Sequence, residues 1–88
     1  MIEATFRITY LHGLHARPAT MLVAKANSFL AAITLEFQER KINLKSIMGV
    51  LSLGVPQNAS VKLIIDGSDE DDAYIAMKRV ILDINAMK

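Results

Sequence analysis

The chain has 88 residues, of which 52% are hydrophobic and 22% charged, the composition of a globular domain and not of a disordered segment. Its formal net charge is +1 and it has no cysteine, so it offers neither a global field that attracts nucleic acid or anionic membranes nor thiol chemistry. No apolar run reaches the ~20 residues of a membrane span, and no signal segment precedes the first predicted strand. We therefore expect a single domain, residues 1–88, located in the cytoplasm.

The first two elements are predicted to be a strand and a helix. Residues 2–10 alternate, with every even-numbered residue apolar, which indicates a strand with one buried face. After a loop around Gly13, apolar residues recur with helical spacing, which predicts a helix from about Ala16 to Ser28. The apolar stripe of this helix is Ala19, Leu22, Val23, Ala26, Phe29 and Leu30.

A hairpin follows. Residues 32–38 alternate again, and Ile42 and Leu44 resume the pattern after a short break. The connection from Gln38 to Lys41 contains neither glycine nor an Asn-Gly pair, so the sequence specifies its turn poorly.

A short second helix and a fourth strand come next. Ser46 precedes the apolar run 47–53 and Gly54 follows it, which predicts a helix with a serine N-cap and a left-handed glycine stop. Asn58 is the residue of the next turn that best tolerates a positive φ. The inward face of the fourth strand is Val61, Leu63 and Ile65.

The last helix is predicted to open at Ser68 as its cap, with acidic residues 69–72 in the first turn, where the helix dipole favours negative charge. Its core stripe is Ala73, Ala76, Met77, Val80, Ile84 and Met87. Four further apolar residues widen this stripe, either as a rim over neighbouring strands or as a self-association face: Tyr74, Ile75, Ile81 and Leu82.

The element order is therefore β-α-β-β-α-β-α. Strands that each bury one face need a single layer of helices over that face. We predict an α/β (α+β) fold, an open-faced two-layer sandwich with a four-stranded antiparallel sheet and three helices on one face.

The transition from the first strand to the first helix carries the candidate chemistry. A helix that begins after His15 directs unpaired backbone N–H groups, those of Ala16 and Arg17, towards an anion at its mouth. A neutral imidazole there accepts a phosphoryl group, and Arg17 adds charge-assisted hydrogen bonds. The alternatives are that His15 is only a helix cap or a solvated loop residue, or that His12 and His15 bind a metal, although two histidines without a third ligand are a weak metal signal.

Ser46 has two interpretations. It is an N-cap, which is a structural role, and it is also a position where a phosphate would meet free N–H groups. A helix of about two turns buries one side, and Val50 and Leu53 suffice for it, so Ile47, Met48 and Leu51 are expected to form an exposed apolar patch. The alternative is that all five apolar residues are core.

Two segments together carry a specific resemblance. They are Gly13-Leu14-His15-Ala16-Arg17-Pro18-Ala19-Thr20 and Asn43-Leu44-Lys45-Ser46-Ile47-Met48-Gly49-Val50-Leu51-Ser52-Leu53-Gly54-Val55. Both closely resemble the histidine-containing phosphocarrier (HPr) family of the bacterial phosphoenolpyruvate:sugar phosphotransferase system. The resemblance spans the whole chain, including its length and element order.

The resemblance implies a phosphocarrier and not an enzyme. His15 would accept a phosphoryl group from phosphoenolpyruvate-charged enzyme I and pass it to the IIA domain of a sugar permease, assisted by Arg17. Ser46 resembles the serine that an ATP-dependent kinase modifies in some members, which hinders engagement with enzyme I and creates a surface for a regulator of carbon catabolite repression. The implied docking patch is Thr20, Ile47, Met48 and Leu51. No cofactor, metal, nucleic acid or membrane insertion is implied, and we expect a monomer.

Some positions depart from the family's pattern. The hairpin commonly has Asn-Gly-Lys where this chain has Gln38-Glu39-Arg40, so we expect a looser or differently shaped turn. Asn58 stands where glycine is usual, and His12 is not expected beside the active histidine; it is a solvated loop residue or a contact of the phosphoryl group. A regulatory paralogue that acts through phosphorylated Ser46 would lack the phosphorylatable histidine.

A rival from another class is a small nucleic-acid-binding domain that uses four lysines: Lys25, Lys41, Lys45 and Lys62. The near-zero net charge and the lack of aromatic residues among these lysines argue against it.

Overall fold

The computed structural model describes residues 1–88, and its elements follow the predicted order. They are β1 (Ile2–Ile8), α1 (Ala16–Ala26), β2 (Ala32–Phe37), β3 (Arg40–Asn43), α2 (Ile47–Leu53), β4 (Ala59–Asp66) and α3 (Glu70–Asn85). None of these helices combines the length and the apolar character needed to cross a bilayer.

The four strands form one sheet in the order β1-β4-β2-β3, and every pair of neighbours is antiparallel. Phe6 lies opposite Val61, and Leu35 lies opposite Leu63, so the apolar residues of neighbouring strands share one face. The three helices cover that face, and the other face is open. The predicted fold class is confirmed.

The core between the sheet and the helices is a single cluster of 21 buried hydrophobic residues. Leu22 of α1, Val50 of α2 and Met77 of α3 are each at most 1% exposed, so all three helices contribute to it. No polar or charged residue is buried, and no buried side-chain nitrogen or oxygen lacks a hydrogen-bond partner. The core therefore derives its stability from apolar burial, without buried polar groups that need compensation.

The first helix is shorter than predicted. It ends at Ala26, and Leu30, which was assigned to its apolar stripe, is 87% exposed. The reason is a long-range contact: the backbone N–H groups of Leu30 and Ala31 donate to the Asp69 carboxylate, each at 2.8 Å. These bonds hold the chain in a non-helical course between α1 and β2.

The predicted cap of the last helix is also wrong. The N-cap of α3 is Asp69 and not Ser68, and the Asp69 side chain makes no cap hydrogen bond because it accepts from the α1–β2 loop. The Glu70 carboxylate instead accepts the Gly67 N–H at 3.1 Å. Gly67 is required because a Cβ there would lie 2.6 Å from the Ala31 Cα. Two loops thus pack together at this end of the molecule.

The wide apolar stripe of α3 is divided between the core and solvent. Ile81 is 2% exposed, and the Tyr74 ring packs near Phe6 with 6.4 Å between ring centroids. Ile75 and Leu82 are more than half exposed. Part of the stripe is therefore a rim over β1, and the self-association face stays a prediction.

The β2–β3 turn is tight, so of the two expected alternatives, a looser turn or a differently shaped one, the looser turn is wrong. Phe37 pairs with Arg40, which leaves a loop of only Gln38 and Glu39, with φ values of 51° and 65°. Two positive φ values are what a type I′ turn requires, and this turn matches the twist of the flanking strands. Pairing of β2 with β3 thus imposes a left-handed conformation on two residues that disfavour it. The predicted positive φ at Asn58 is confirmed, at 68°.

We expect Asp69→Asn to destabilise the protein at pH 7 and to lose this effect in acid. The Leu30 and Ala31 amides lower the pKa of Asp69 below its ordinary value of 3.8, so the carboxylate stabilises the fold above that pH. As the pH falls through the folded-state pKa, the carboxylate is protonated and the stabilisation is lost. Urea unfolding at pH 7 and at a series of pH values below 3.8 measures this difference. Asp71→Asn, which removes no hydrogen bond in this structure, is the control, and an equal effect of both substitutions would contradict the argument.

We expect Glu39→Gly to raise the free energy of unfolding by about 1 kcal/mol, because glycine relieves the left-handed strain of an L side chain. Urea denaturation measures the change, with Glu39→Ala, which keeps a Cβ at this φ, as the control. An equal result for the two variants would show that the turn stores no such strain.

Candidate functional site

The loop between β1 and α1 is fastened to the end of α2. The Gly13 N–H donates to the Tyr10 carbonyl at 2.9 Å, and the Leu14 N–H donates to the Val55 carbonyl at 3.0 Å. Gly13 has a φ of +61°, and a Cβ there would lie 2.1 Å from the Val55 oxygen. Leu14 is buried in the core, at 3% exposure. These two hydrogen bonds and the burial of Leu14 place the next residue, His15, at the surface.

His15 is the N-cap of α1, with extended backbone angles of −85° and −166°. Its side chain is exposed and makes no cap hydrogen bond. No hydrogen bond or ion pair within the protein engages either ring nitrogen. The imidazole is therefore free to react with a group delivered from outside.

The first turn of α1, which directly follows His15, contains unpaired backbone donors. The first capping bond runs from the Ala19 N–H to the His15 carbonyl at 2.9 Å, and Pro18 has no N–H. The amides of Ala16 and Arg17 are thus left without an intrahelical acceptor. The Arg17 side chain is exposed and forms no ion pair within the protein. Two amides, the helix dipole and a guanidinium together favour an anion at this position.

Helices α1 and α2 run antiparallel. The C-terminal end of α2 lies beside the His15 loop through the Leu14–Val55 bond, and its N-terminal end lies beside the end of α1, where the Asn27 side-chain amide donates to the Lys45 carbonyl at 3.3 Å. The 11 residues of α1 span about 16 Å. The structure therefore places Ser46 at the opposite end of this helix pair from His15.

Ser46 caps α2 as predicted. Its Oγ accepts the Gly49 N–H at 3.1 Å, and Gly54 ends the helix in the left-handed region with φ of 61°. The Ser46 residue is half-buried.

Between His15 and Ser46 lies a surface that we term the α1–α2 face, defined by Thr20, Ile47, Met48 and Leu51. Ile47 is 42% exposed and Met48 is 76% exposed, whereas Val50 and Leu53 are buried. Leu51, which was expected in the exposed patch, is half-buried and packs against the core. The alternative that all the apolar residues of α2 are core is therefore wrong. Thr20 is exposed, and its Oγ1 donates to the Ala16 carbonyl at 2.9 Å.

One residue that shapes this site has no signal in the sequence. Val55 supplies the carbonyl that anchors Leu14, but an apolar residue after a glycine gives no hint of such a distant bond. His12 is exposed, and its ring packs edge-on against Tyr10 with 5.5 Å between ring centroids. The structure contains no cluster of three or more His, Cys, Asp or Glu side chains that could hold a metal ion.

Comparison with known proteins identifies the family. A family model described as the phosphorylation site of the PTS HPr component matches residues 2–83. The HPr-C-His protein of Thermoanaerobacter tengcongensis is 42% identical, with coverage of 100% of this chain and 99% of that chain and a TM-score of 0.94. The Mycoplasma histidine-containing phosphocarrier protein is 34% identical, with coverage of 99% of both chains and a TM-score of 0.93.

A regulatory relative is similar as well. The catabolite repression protein Crh of Bacillus subtilis, described as a swapped dimer, is 36% identical, with coverage of 96% of this chain and 97% of that chain and a TM-score of 0.75. The family model spans nearly the whole chain, and the two phosphocarriers and Crh share the fold of this chain. The chain belongs to the PTS HPr family of phosphocarrier proteins.

Proposed function

We propose that His15 carries the phosphoryl group, which it receives from phosphoenolpyruvate-charged enzyme I and passes to the IIA domain of sugar permeases in the cytoplasm. The observation that supports this assignment is the exposed His15 imidazole, which has no hydrogen-bond partner in the protein and stands beside two unpaired helix amides. The other histidine, His12, does not directly precede a helix, so it has no unpaired helix amides next to it in the chain.

The transfer needs few groups from this chain. The lone pair of a neutral His15 ring nitrogen attacks the phosphorus, the P–N bond forms, and the bond between phosphorus and the donor group of enzyme I breaks, its electron pair staying with the donor. The amides of Ala16 and Arg17 and the Arg17 guanidinium then donate to the phosphoryl oxygens. The reverse exchange delivers the group to the IIA domain.

The partner proteins supply the rest of each active site. His15 stands on an open surface with no wall or lid of its own, so water is excluded only when a partner covers it. The α1–α2 face provides the docking contact, because Met48 and Ile47 offer adaptable apolar area on the helix that packs beside α1. A single face of this kind serves successive partners, as a carrier requires.

A second function, regulation through Ser46, is favoured by one observation. Ser46 is half-buried and directly precedes Ile47 and Met48 of the α1–α2 face, so a phosphate there adds charge to the surface that we propose for docking. A serine kinase and phosphorylase would set this charge, and a catabolite-repression regulator would read it. The relative Crh, a catabolite repression protein, gives this second function its precedent.

A nucleic-acid-binding function has weaker support. Lys25 lies on α1, whereas Lys62 on the open face of the sheet pairs with Glu3. Lys41 lies on β3, and the Lys45 ammonium donates to the Phe29 carbonyl. These lysines are divided between the two layers and form no continuous basic surface for a phosphate backbone.

We expect His15→Ala to abolish labelling by enzyme I and labelled phosphoenolpyruvate, because it removes the nucleophile. We expect Arg17→Ala to keep the label but to slow transfer by about tenfold or more, because one charge-assisted donor is lost. Rapid-quench labelling measures both, and acid lability of the label distinguishes phosphohistidine from phosphoserine.

The matched control is His12→Ala, which removes the other imidazole of the same loop and should retain an acid-labile label. Full labelling of His15→Ala would show that another residue carries the group. A labelling rate unchanged in Arg17→Ala would remove the role proposed for Arg17.

We expect Ser46→Asp to weaken binding to enzyme I by about tenfold or more, through desolvation of a charge on the docking face. Aspartate is also a good N-cap, so the fold is retained. Calorimetric titration with enzyme I measures the affinity. Ser60→Asp, which adds the same charge on the open face of the sheet, is the control, and equal affinities of the two variants would leave Ser46 as a plain cap.

A further inference from the structure

A groove of about 570 Å³ opens at the β3 side of the sheet, apart from the phosphoryl site. None of the residues assigned above to phosphoryl transfer, regulation or docking lines it. Its apolar lining includes Leu30, Ile33 and Ile42. Its charged groups are Lys41 and Lys45, and no carboxylate lines it.

Leu30 is held in solvent by hydrogen bonds from other elements. Its side chain is 87% exposed, more than any other large hydrophobic residue. Its N–H and that of Ala31 donate to the Asp69 carboxylate at 2.8 Å, and the Lys45 ammonium donates to the Phe29 carbonyl at 2.7 Å. Because this backbone is already ordered, burial of the leucine against a partner costs little further conformational entropy.

The rim of the groove includes an unpaired strand edge. The Leu44 N–H donates to the Ile33 carbonyl at 2.9 Å. Because hydrogen-bonded pairs alternate along an antiparallel ladder, Ile42 and Arg40 are the residues of β3 whose backbone groups bond to β2. Lys41 alternates with these residues, so its N–H and carbonyl point away from the sheet. Such an edge accepts an added strand through main-chain hydrogen bonds.

The charges of the groove are positive in a chain whose net charge is only +1. Lys45 donates to the neutral Phe29 carbonyl, and the Asp69 carboxylate, whose pKa the Lys45 charge helps to lower, already accepts two backbone amides. The Lys41 ammonium is 4.0 Å from the Glu36 carboxylate, both at the protein surface, and an exposed pair at this distance is weak. A carboxylate of a bound segment would therefore meet two lysines, neither of which forms an ion pair closer than 4.0 Å within the protein.

We propose that this groove is a second docking surface, which binds an extended acidic segment of a partner protein that carries a large apolar side chain. The apolar side chain packs on Leu30 and Ile42, the acidic side chains pair with Lys41 and Lys45, and the backbone pairs with the free edge at Lys41. Leu30 follows the C-terminal end of α1 and His15 precedes its N-terminal end, so a segment bound here leaves the imidazole open.

A peptide titration of the full chain tests this proposal. The probe is an acetylated, amidated eight-residue peptide of alternating glutamate and leucine, and its control has lysine in place of glutamate. With ¹⁵N-labelled protein, we expect amide shift changes concentrated in residues 30–34 and 41–45 with the acidic peptide only. Leu30→Ser should weaken binding by about tenfold, which corresponds to the burial of one leucine, and Lys41→Glu should weaken it by about fivefold or more.

The matched control variant is Met48→Ser, which removes an exposed apolar side chain from the α1–α2 face and should leave the peptide affinity unchanged. Leu30→Ser should also leave the labelling rate of His15 unchanged. Equal binding of both peptides, shifts centred on the α1–α2 face, or no shift at millimolar peptide would overturn the proposal. A dimer in sedimentation that Leu30→Ser abolishes would show that the occupant is a second copy and not a partner.

Discussion

The hydrogen bond from the Leu14 amide to the Val55 carbonyl connects the start of α1 to the end of α2. It forms because Gly13 has no Cβ and lets the two backbones approach, and because Leu14 is buried beside it. This contact fixes the start of α1, where His15, Ala16 and Arg17 are all exposed. It also brings His15, the residue that we propose as the phosphoryl acceptor, close to the C-terminal end of α2.

The resulting site is open, and this openness suits a carrier. A buried histidine with its own acid and base would be specialised for one reaction, whereas an exposed imidazole is completed by whichever partner covers it. The cost is that Met48 and Ile47 remain in water. The core of 21 buried hydrophobic residues, which has no buried polar group, supplies the stability that this exposed surface does not.

A second set of contacts organises the opposite end of the molecule. Asp69 holds the α1–β2 loop, and Lys45 and Asn27 join that loop to the start of α2. Ser46 is therefore positioned by a hydrogen-bond network distinct from the one that positions His15. The two proposed modification sites therefore depend on separate sets of hydrogen bonds.

Local features of the sequence were predicted reliably where a residue acts on its own neighbours. Ser46 caps the helix that it precedes, Gly54 ends it, and Asn58 takes a positive φ, because each effect spans only a few residues. The wrong predictions for Ser68 and Leu30 have one cause, which is that Asp69 accepts hydrogen bonds from the backbone of a distant loop. The acidic residues around Asp69 indicated only a helix start and gave no sign of this contact. The tight turn at Gln38 and Glu39 was missed because strand pairing overrode local preference.

The sequence alone determined the order of elements, the face that each buries and the placement of His15 at a helix start, because hydrophobic period and capping chemistry are local. Only the tertiary structure decided which carbonyl anchors the His15 loop, how far Ser46 lies from it, and which lysines share a groove with Leu30. Those relations join residues that are remote along the chain, and they arise only when the sheet brings its strands together and the helices pack on it.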